Sequence, residues 1–301
     1  MFTESQILVL AIISKIVSSL SFLGSFYLIV RFYRNRRLTK KSLYHRIILY
    51  ISIVDIIGSV NFFIGPWVFK NDVACTIQGF IVEMYIAIPL WNIAHAVNVY
   101  MRVIKGWHAD KAKALEPLYH LFAWSIPIVG GSIGVYRQVY KPVSSWCWYS
   151  ADSVDLRFGT FYSWVFLAMF VSIAVALAVT LHVKKKQEGS TKSKAYLAGK
   201  RQVLYSLAIL LTFGPSSLTR IVQLISGIQL FELTCFQVAT LPLQGFANFL
   251  INYIMMQTTR KVKRKRYRLM ELKKSMSSYN TAFRSSFSSL SSSQADDESA
   301  L

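Results

Sequence analysis

The chain has 301 residues, a net charge of +20, 53% hydrophobic residues and a mean hydropathy of +0.39. A soluble domain of this size intersperses its charges with its apolar residues. Here long apolar blocks alternate with short basic ones, which excludes a water-soluble fold and indicates an all-α, polytopic membrane protein.

Seven blocks are long enough to span: 6–31, 43–68, 74–103, 117–138, 158–183, 201–226 and 233–257. Each exceeds the ~20 residues that cross ~30 Å of hydrocarbon. They assign 1–257 to a seven-helix bundle, 258–274 to a basic juxtamembrane segment and 275–301 to a disordered tail. The first block is too long for a signal peptide and has no basic leader, so it is read as a span that stays.

Ionisable residues inside hydrocarbon are costly and face the bundle interior. Span 1 carries Lys15 and span 2 carries Asp55, in "YISIVDIIGS". Span 3 carries Glu83, and then Asn92, His95 and Asn98, whose spacing of three keeps them on one face. Asp55 is either a polar hub whose partners change between two states, or a carboxylate tied by these neighbours. Arg157 opens span 5. Arg220, in "SSLTRIVQLISG" of span 6, stands about two turns from its outer end, at a depth that permits a salt bridge with Glu83. The pair either neutralises itself, or Arg220 binds an anionic ligand, with Arg157 and Lys15 adding to the site. Span 6 also holds Pro215, a candidate hinge. Span 7 carries Gln244, Asn248 and Asn252 on one stripe below Pro242 and Gly245. Amides turned to lipid would be unsatisfied, so the stripe faces the bundle. Polar stripes and proline kinks suit a bundle with two packings, or a transport path.

Basic residues fix the orientation: 28 of the 34 fall in the loops after spans 1, 3 and 5 and in the tail. By the positive-inside rule these face the cytoplasm and the N-terminus lies outside. Arg102, Lys105, Lys184, Lys185, Lys186, Lys200 and Arg201 then sit at the inner ends of spans 3, 5 and 6. The charge also matches an anionic inner leaflet, and no nucleic-acid-binding signature accompanies it. Three cysteines, Cys75, Cys147 and Cys235, allow three pairings. Cys75 and Cys147 both lie outside, so topology favours joining them. That bond would tie "SSWCWYS" to span 3 and set Trp146 and Trp148 over the bundle mouth.

A retinal protein is excluded, because no lysine occurs between Lys200 and Lys261. No catalytic motif, metal-ligand spacing or cofactor signature stands out, so neither enzyme, metal nor cofactor is expected. No internal repeat points to paired transporter halves. In the tail, "TTRKVKRKRYRLMELKK" would lie along the inner leaflet with Val262, Leu269 and Leu272 in lipid. The stretch after it holds eleven serines. Ser285, Ser286, Ser288, Ser289, Ser291, Ser292 and Ser293 are candidate phosphorylation sites, where added charge would recruit or release a partner.

"CTIQGF" in span 3, "WCWY" in the second outer loop, "RFGTFY" opening span 5, "TRIVQ" in span 6 and "QGFANFLINY" in span 7 occur in that order. With these the chain resembles, over about residues 7–257, the cyclic-AMP-receptor-like G-protein-coupled receptors first known from social amoebae. The resemblance implies a plasma-membrane receptor that senses a small extracellular ligand and activates a heterotrimeric G protein. It implies the Cys75–Cys147 bond, singles out Arg157 and Arg220 as phosphate contacts, and fits a tail read by a receptor kinase and an arrestin-like protein. Span 3 ends "NVYMRVIKGW" and span 7 lacks NPxxY, which separates the chain from the rhodopsin-like class. The ligand, cyclic AMP or another small polar or anionic molecule, is expected to enter beneath Trp146 and Trp148. Span 6 would pivot near Pro215 and open a cleft between spans 3, 5 and 6. A small transporter or channel is the alternative.

Overall fold

The structure, a computed structural model, describes residues 2–185 and 190–298. It is an all-α membrane protein with a single two-stranded sheet among the described residues. Six helical stretches of the described residues are long and apolar enough to cross a bilayer: Glu4–Arg34, Leu43–Val68, Asp72–Val103, Ala109–Tyr136, Val154–Lys185 and Ala195–Ser226. The seventh expected span falls outside that set. Gln244, Asn248, Asn252 and Pro242 dilute its apolar character. One compact unit ends at Tyr253 and a second begins at Ile254.

Helix α1 (Glu4–Arg34) is started by a reciprocal cap. Thr3 Oγ1 accepts from the Gln6 N–H at 3.3 Å, and Gln6 Oε1 accepts from the Thr3 N–H at 3.0 Å. Its buried face is a stripe of small residues, Ser14, Ser18, Ser21, Gly24 and Ser25, while Leu8, Ile12, Ile16 and Leu23 point outward. In lipid, apolar side chains gain nothing by leaving the hydrocarbon, so helices approach through small residues and interhelical hydrogen bonds. Helix α2 (Arg36–Lys41) is a short turn leading to α3 (Leu43–Ile64), which packs against α1. Ser14 Oγ donates to the Phe62 carbonyl at 2.9 Å.

The third span is two helices, α4 (Asp72–Met84) and α5 (Ala87–Val103), where the sequence pattern reads as one. Pro89 is the physical reason. It has no N–H to offer the Tyr85 carbonyl and its ring crowds that carbonyl. The interruption places Tyr85 at mid-bundle, its ring against Gly58 of α3, where a Cβ would come within 2.6 Å of Cδ2. Helix α5 packs on α3 and on four helices that follow it. Helices α6 (Ala109–Lys113) and α7 (Glu116–Tyr136) come next. Arg46 of α3 forms an ion pair with Glu116 and donates to the Thr39 carbonyl at 3.0 Å, pinning the α2 turn to the start of α7.

The segment after α7 is a hairpin of β1 (Tyr140–Val143) and β2 (Trp146–Tyr149), with Pro142 opposite Cys147. The fifth span begins with α8 (Val154–Leu156), passes through a π-turn over Arg157–Tyr162 and continues as α9 (Ser163–Lys185). Helix α10 (Ser190–Ser226) is helical through Pro215. Helix α11 (Phe231–Thr240) is joined to α12 (Gln244–Glu298) by a 3₁₀ turn, Leu241–Leu243, centred on Pro242. Next to the interruption, the Gly245 N–H donates to Ser21 Oγ of α1 at 2.9 Å. Beyond the bundle the backbone of α12 is helical through Glu298, where the serine-rich composition predicts disorder.

Candidate functional site

The π-turn and α10 bring Arg157 and Arg220 to one place. Each is buried, 4% and 2% exposed. A π-turn adds a residue per turn and re-aims the side chains it carries. Arg157 Nε and Nη2 donate to the Tyr149 carbonyl at 3.1 and 2.6 Å. Arg157 Nη1 and Arg220 Nη1 both donate to Gln223 Oε1, at 3.2 and 2.6 Å. Both guanidinium carbons lie over the Trp148 ring, at 5.5 and 5.7 Å from its centre. Arg220 Nε and Nη2 are buried without a hydrogen-bond acceptor. The ion pairs among the described residues are Arg46–Glu116, Lys113–Asp110 and Arg137–Asp155, so neither arginine has a carboxylate partner there. A cleft of about 190 Å³ opens beside them, with Val154, Phe158 and Leu224 on its apolar side.

The hairpin forms the wall of this site. Cys75 and Cys147 are disulfide-bonded, with Cα atoms 5.3 Å apart, as topology favours. The Cys147 N–H donates to Gln78 Oε1 at 2.6 Å, and Gln78 Nε2 donates to the Asn61 and Gly65 carbonyls. These bonds draw the hairpin into the bundle, so Trp146 and Trp148 are core residues, 1% and 2% exposed, and not a cover over the mouth. Trp146 packs edge-on against Phe62 at 4.8 Å. The space beneath the hairpin, between Trp146, Trp148, Phe161 and Tyr162, is only about 10 Å³. The open cleft therefore lies beside the hairpin rather than under it. Burial holds the Tyr140 and Tyr149 phenols well above their ordinary pKa, so both stay neutral donors, to the Gly131 and Gly130 carbonyls.

Two residues expected near this site are elsewhere. Glu83 does not pair with Arg220; its Oε2 accepts from Trp148 Nε1 at 3.3 Å, so the indole takes the carboxylate on its edge and the guanidinium on its face. Lys15 does not line the cleft; its ammonium sits 4.2 Å from the Trp67 ring centre.

Deeper in the bundle runs a second polar constellation. Thr212 Oγ1 donates to Gln244 Oε1 at 2.5 Å, Gln244 Nε2 to Asn248 Oδ1 at 3.3 Å, and Asn248 Nδ2 to Asp55 Oδ2 at 2.9 Å. Tyr85 OH donates to Asp55 Oδ1 at 3.3 Å. Asn252 Nδ2 donates to Tyr205 OH at 3.0 Å, and Asn252 Oδ1 accepts from Tyr44 OH at 3.2 Å. The amide stripe faces inward as expected, but its partners differ from those read off span 3. Asn92 Nδ2 turns back to the Ile88 carbonyl, and His95 lies between the Tyr44 and Tyr205 rings. Asn98 is buried and makes no bond to Asp55. The interruption at Tyr85–Ile86 is the reason: it lets Tyr85, not Asn92, reach Asp55. Pro89 was the available signal, because a proline four residues on frees the tyrosine carbonyl and ends the helix before it.

Of the basic residues expected to face a G protein, Arg102, Lys105, Lys184 and Lys185 are exposed. Arg201 stacks on Tyr44, 3.8 Å from its ring centre, and Lys200 precedes it on α10. Lys186 lies outside the described residues. Ser285, Ser286, Ser288, Ser289, Ser291, Ser292 and Ser293 stand on α12 where the backbone alone is described.

The family model for the slime mold cyclic AMP receptor matches residues 1–241. The chain is 22% identical over 260 residues to "Cyclic AMP receptor-like protein A" of Dictyostelium discoideum, covering 83% of this chain and 65% of that one. It is 24% identical over 188 residues to "Ascaroside receptor GPR3" of Arthrobotrys oligospora, covering 56% of this chain and 45% of that one. Over a shorter stretch of 91 residues it is 31% identical to "Cyclic AMP receptor 4" of Dictyostelium discoideum, 30% of this chain and 20% of that one. The chain thus spans less than two thirds of the length of each of these relatives.

Proposed function

The chain belongs to the slime mold cyclic AMP receptor family, and from that premise we propose that it is a G-protein-coupled receptor for a small anionic ligand. It sits in the plasma membrane with seven spans, the last running through the helical pair around Pro242, and with its N-terminus outside. The observation that carries the ligand class is the buried pair Arg157 and Arg220. Two like charges share one amide oxygen and one indole, and two nitrogens of Arg220, Nε and Nη2, have no acceptor. Such groups are costly to bury unless an anion completes them. Cyclic AMP fits that chemistry, as does any compact phosphate, sulfate or carboxylate. The ligand works only through its different affinity for two packings of the bundle. Drawing Arg157 and Arg220 together shifts Trp148 and α10, α10 pivots near Pro215, and the Asp55–Asn248 ladder re-pairs. The inner ends of α5, α9 and α10 then open toward a heterotrimeric G protein, with Arg102, Lys105, Lys184, Lys185, Lys200 and Arg201 around the opening.

The test is guanine-nucleotide exchange on a G protein in membranes carrying the chain, challenged with cyclic AMP and other small anions. Exchange with one ligand, lost on Arg220→Ala, supports both the receptor and its anion site. Exchange that survives the substitution removes Arg220 from the ligand site. Substrate flux into vesicles without exchange would point to a transporter.

A further inference from the structure

Immediately after the bundle, α12 carries a stretch with no counterpart in the ligand site. Residues 260–274 hold nine basic residues against Glu271 alone. The backbone there is helical, and Leu269, Leu272 and Met276 are 51%, 61% and 66% exposed. At about 100° per residue, positions 262, 269, 272 and 276 fall within an arc of about 80°. The four are Val, Leu, Leu and Met, an apolar seam about four turns long.

The basic positions do not keep to one side of that seam. The same helical arithmetic spreads them around the whole circumference, including position 265 within the seam itself. A flat anionic leaflet touches a helix along one flank and leaves the cations opposite unused. A groove that closes around the helix reaches all of them. Its floor must be apolar and adaptable to meet Leu and Met, and its rim acidic to meet the charge.

We propose that the Arg260–Met276 segment is a docking helix for a calcium sensor of the calmodulin kind, whose methionine-lined, acidic groove closes around a basic amphipathic helix. The seam fills the groove and the surrounding cations pair with its rim. Calcium enters the linkage because the groove opens only in the loaded sensor. The inference does not depend on the identity of the extracellular ligand.

The experiment uses the full chain in nanodiscs of neutral lipid, titrated against fluorescently labelled calmodulin with calcium or with a chelator. A complex at submicromolar concentration that needs calcium is expected. Leu269→Asp with Leu272→Asp weakens it at least tenfold. Both positions are exposed, so the variant tests docking and not folding, and its yield in the disc checks this. No complex at about 10 µM, a complex indifferent to the double substitution, or one that forms equally in chelator overturns the proposal. Absence of a complex, together with protection of the segment from protease only in discs containing anionic lipid, assigns it to the leaflet instead.

Discussion

Arg220 donates from Nη1 to Gln223 and leaves Nε and Nη2 buried and unanswered, beside a second arginine and above an indole. An ordinary structural arginine has a carboxylate there. Arg220→Gln removes the charge and keeps an amide, and is expected to raise the half-maximal ligand concentration at least tenfold, about 1.4 kcal/mol. Receptor yield should stay near wild type, since a stored repulsion is relieved. A dose–response of nucleotide exchange reads the first, and ligand-free thermal stability the second. Tyr85 offers a different test. Its hydroxyl donates to Asp55 and lies 3.4 Å from the Leu241 carbonyl, so Tyr85→Phe deletes a link between the interruption in span 3 and the turn in span 7. The expected cost is about 1 kcal/mol of stability, with a change in ligand-free exchange. An unaltered basal rate would make the bond purely structural.

Among the elements, three irregular ones shape the site: the break before Pro89, the π-turn Arg157–Tyr162 and the disulfide-tied hairpin. Proline made the first findable in the sequence. The π-turn leaves no such mark, because a one-residue insertion in a helix alters no composition and no apolar stripe. The hairpin is half legible. Two cysteines expected on the same side favour its tether, whereas its depth depends on Gln78, whose amide was indistinguishable from any other polar residue near a helix end. Cys75→Ser should free β2, expose Trp146 and Trp148 and abolish the ligand response. Loss of a native disulfide in a small domain costs about 2–5 kcal/mol. Surface expression and tryptophan emission check this, and a variant with normal emission would show that Gln78 holds the hairpin by itself. The serine-rich end of α12 has no apolar stripe to bury, so a peptide of residues 277–298 is expected to be largely unfolded in water by circular dichroism. Phosphorylation at Ser285–Ser293, read by mass spectrometry after ligand challenge, tests the role proposed for that tail.

For the whole molecule, segregated charge and hydropathy carry the architecture. Twenty-eight of 34 basic residues on one side predict that a tag at the N-terminus is reached by antibody on intact cells and one at the C-terminus is not. The reverse result would discard the orientation, and the ligand cleft with it. The sequence by itself determined the all-α membrane class, six of the seven apolar stretches it marked out and the inward turn of the amide stripe, because lipid solvates no backbone and no amide, and each of these follows from local composition. The sequence motifs likewise sufficed for the receptor family. Tertiary structure alone decided which polar groups meet. Asp55 is 30 residues from Tyr85 and 193 from Asn248, and Arg157 is 66 from Gln223. Within a bundle every inward-facing residue is within reach of several helices, and helix rotation, depth and local breaks select among them. Periodicity fixes the face of one helix, and the choice of partner belongs to the packing of all of them.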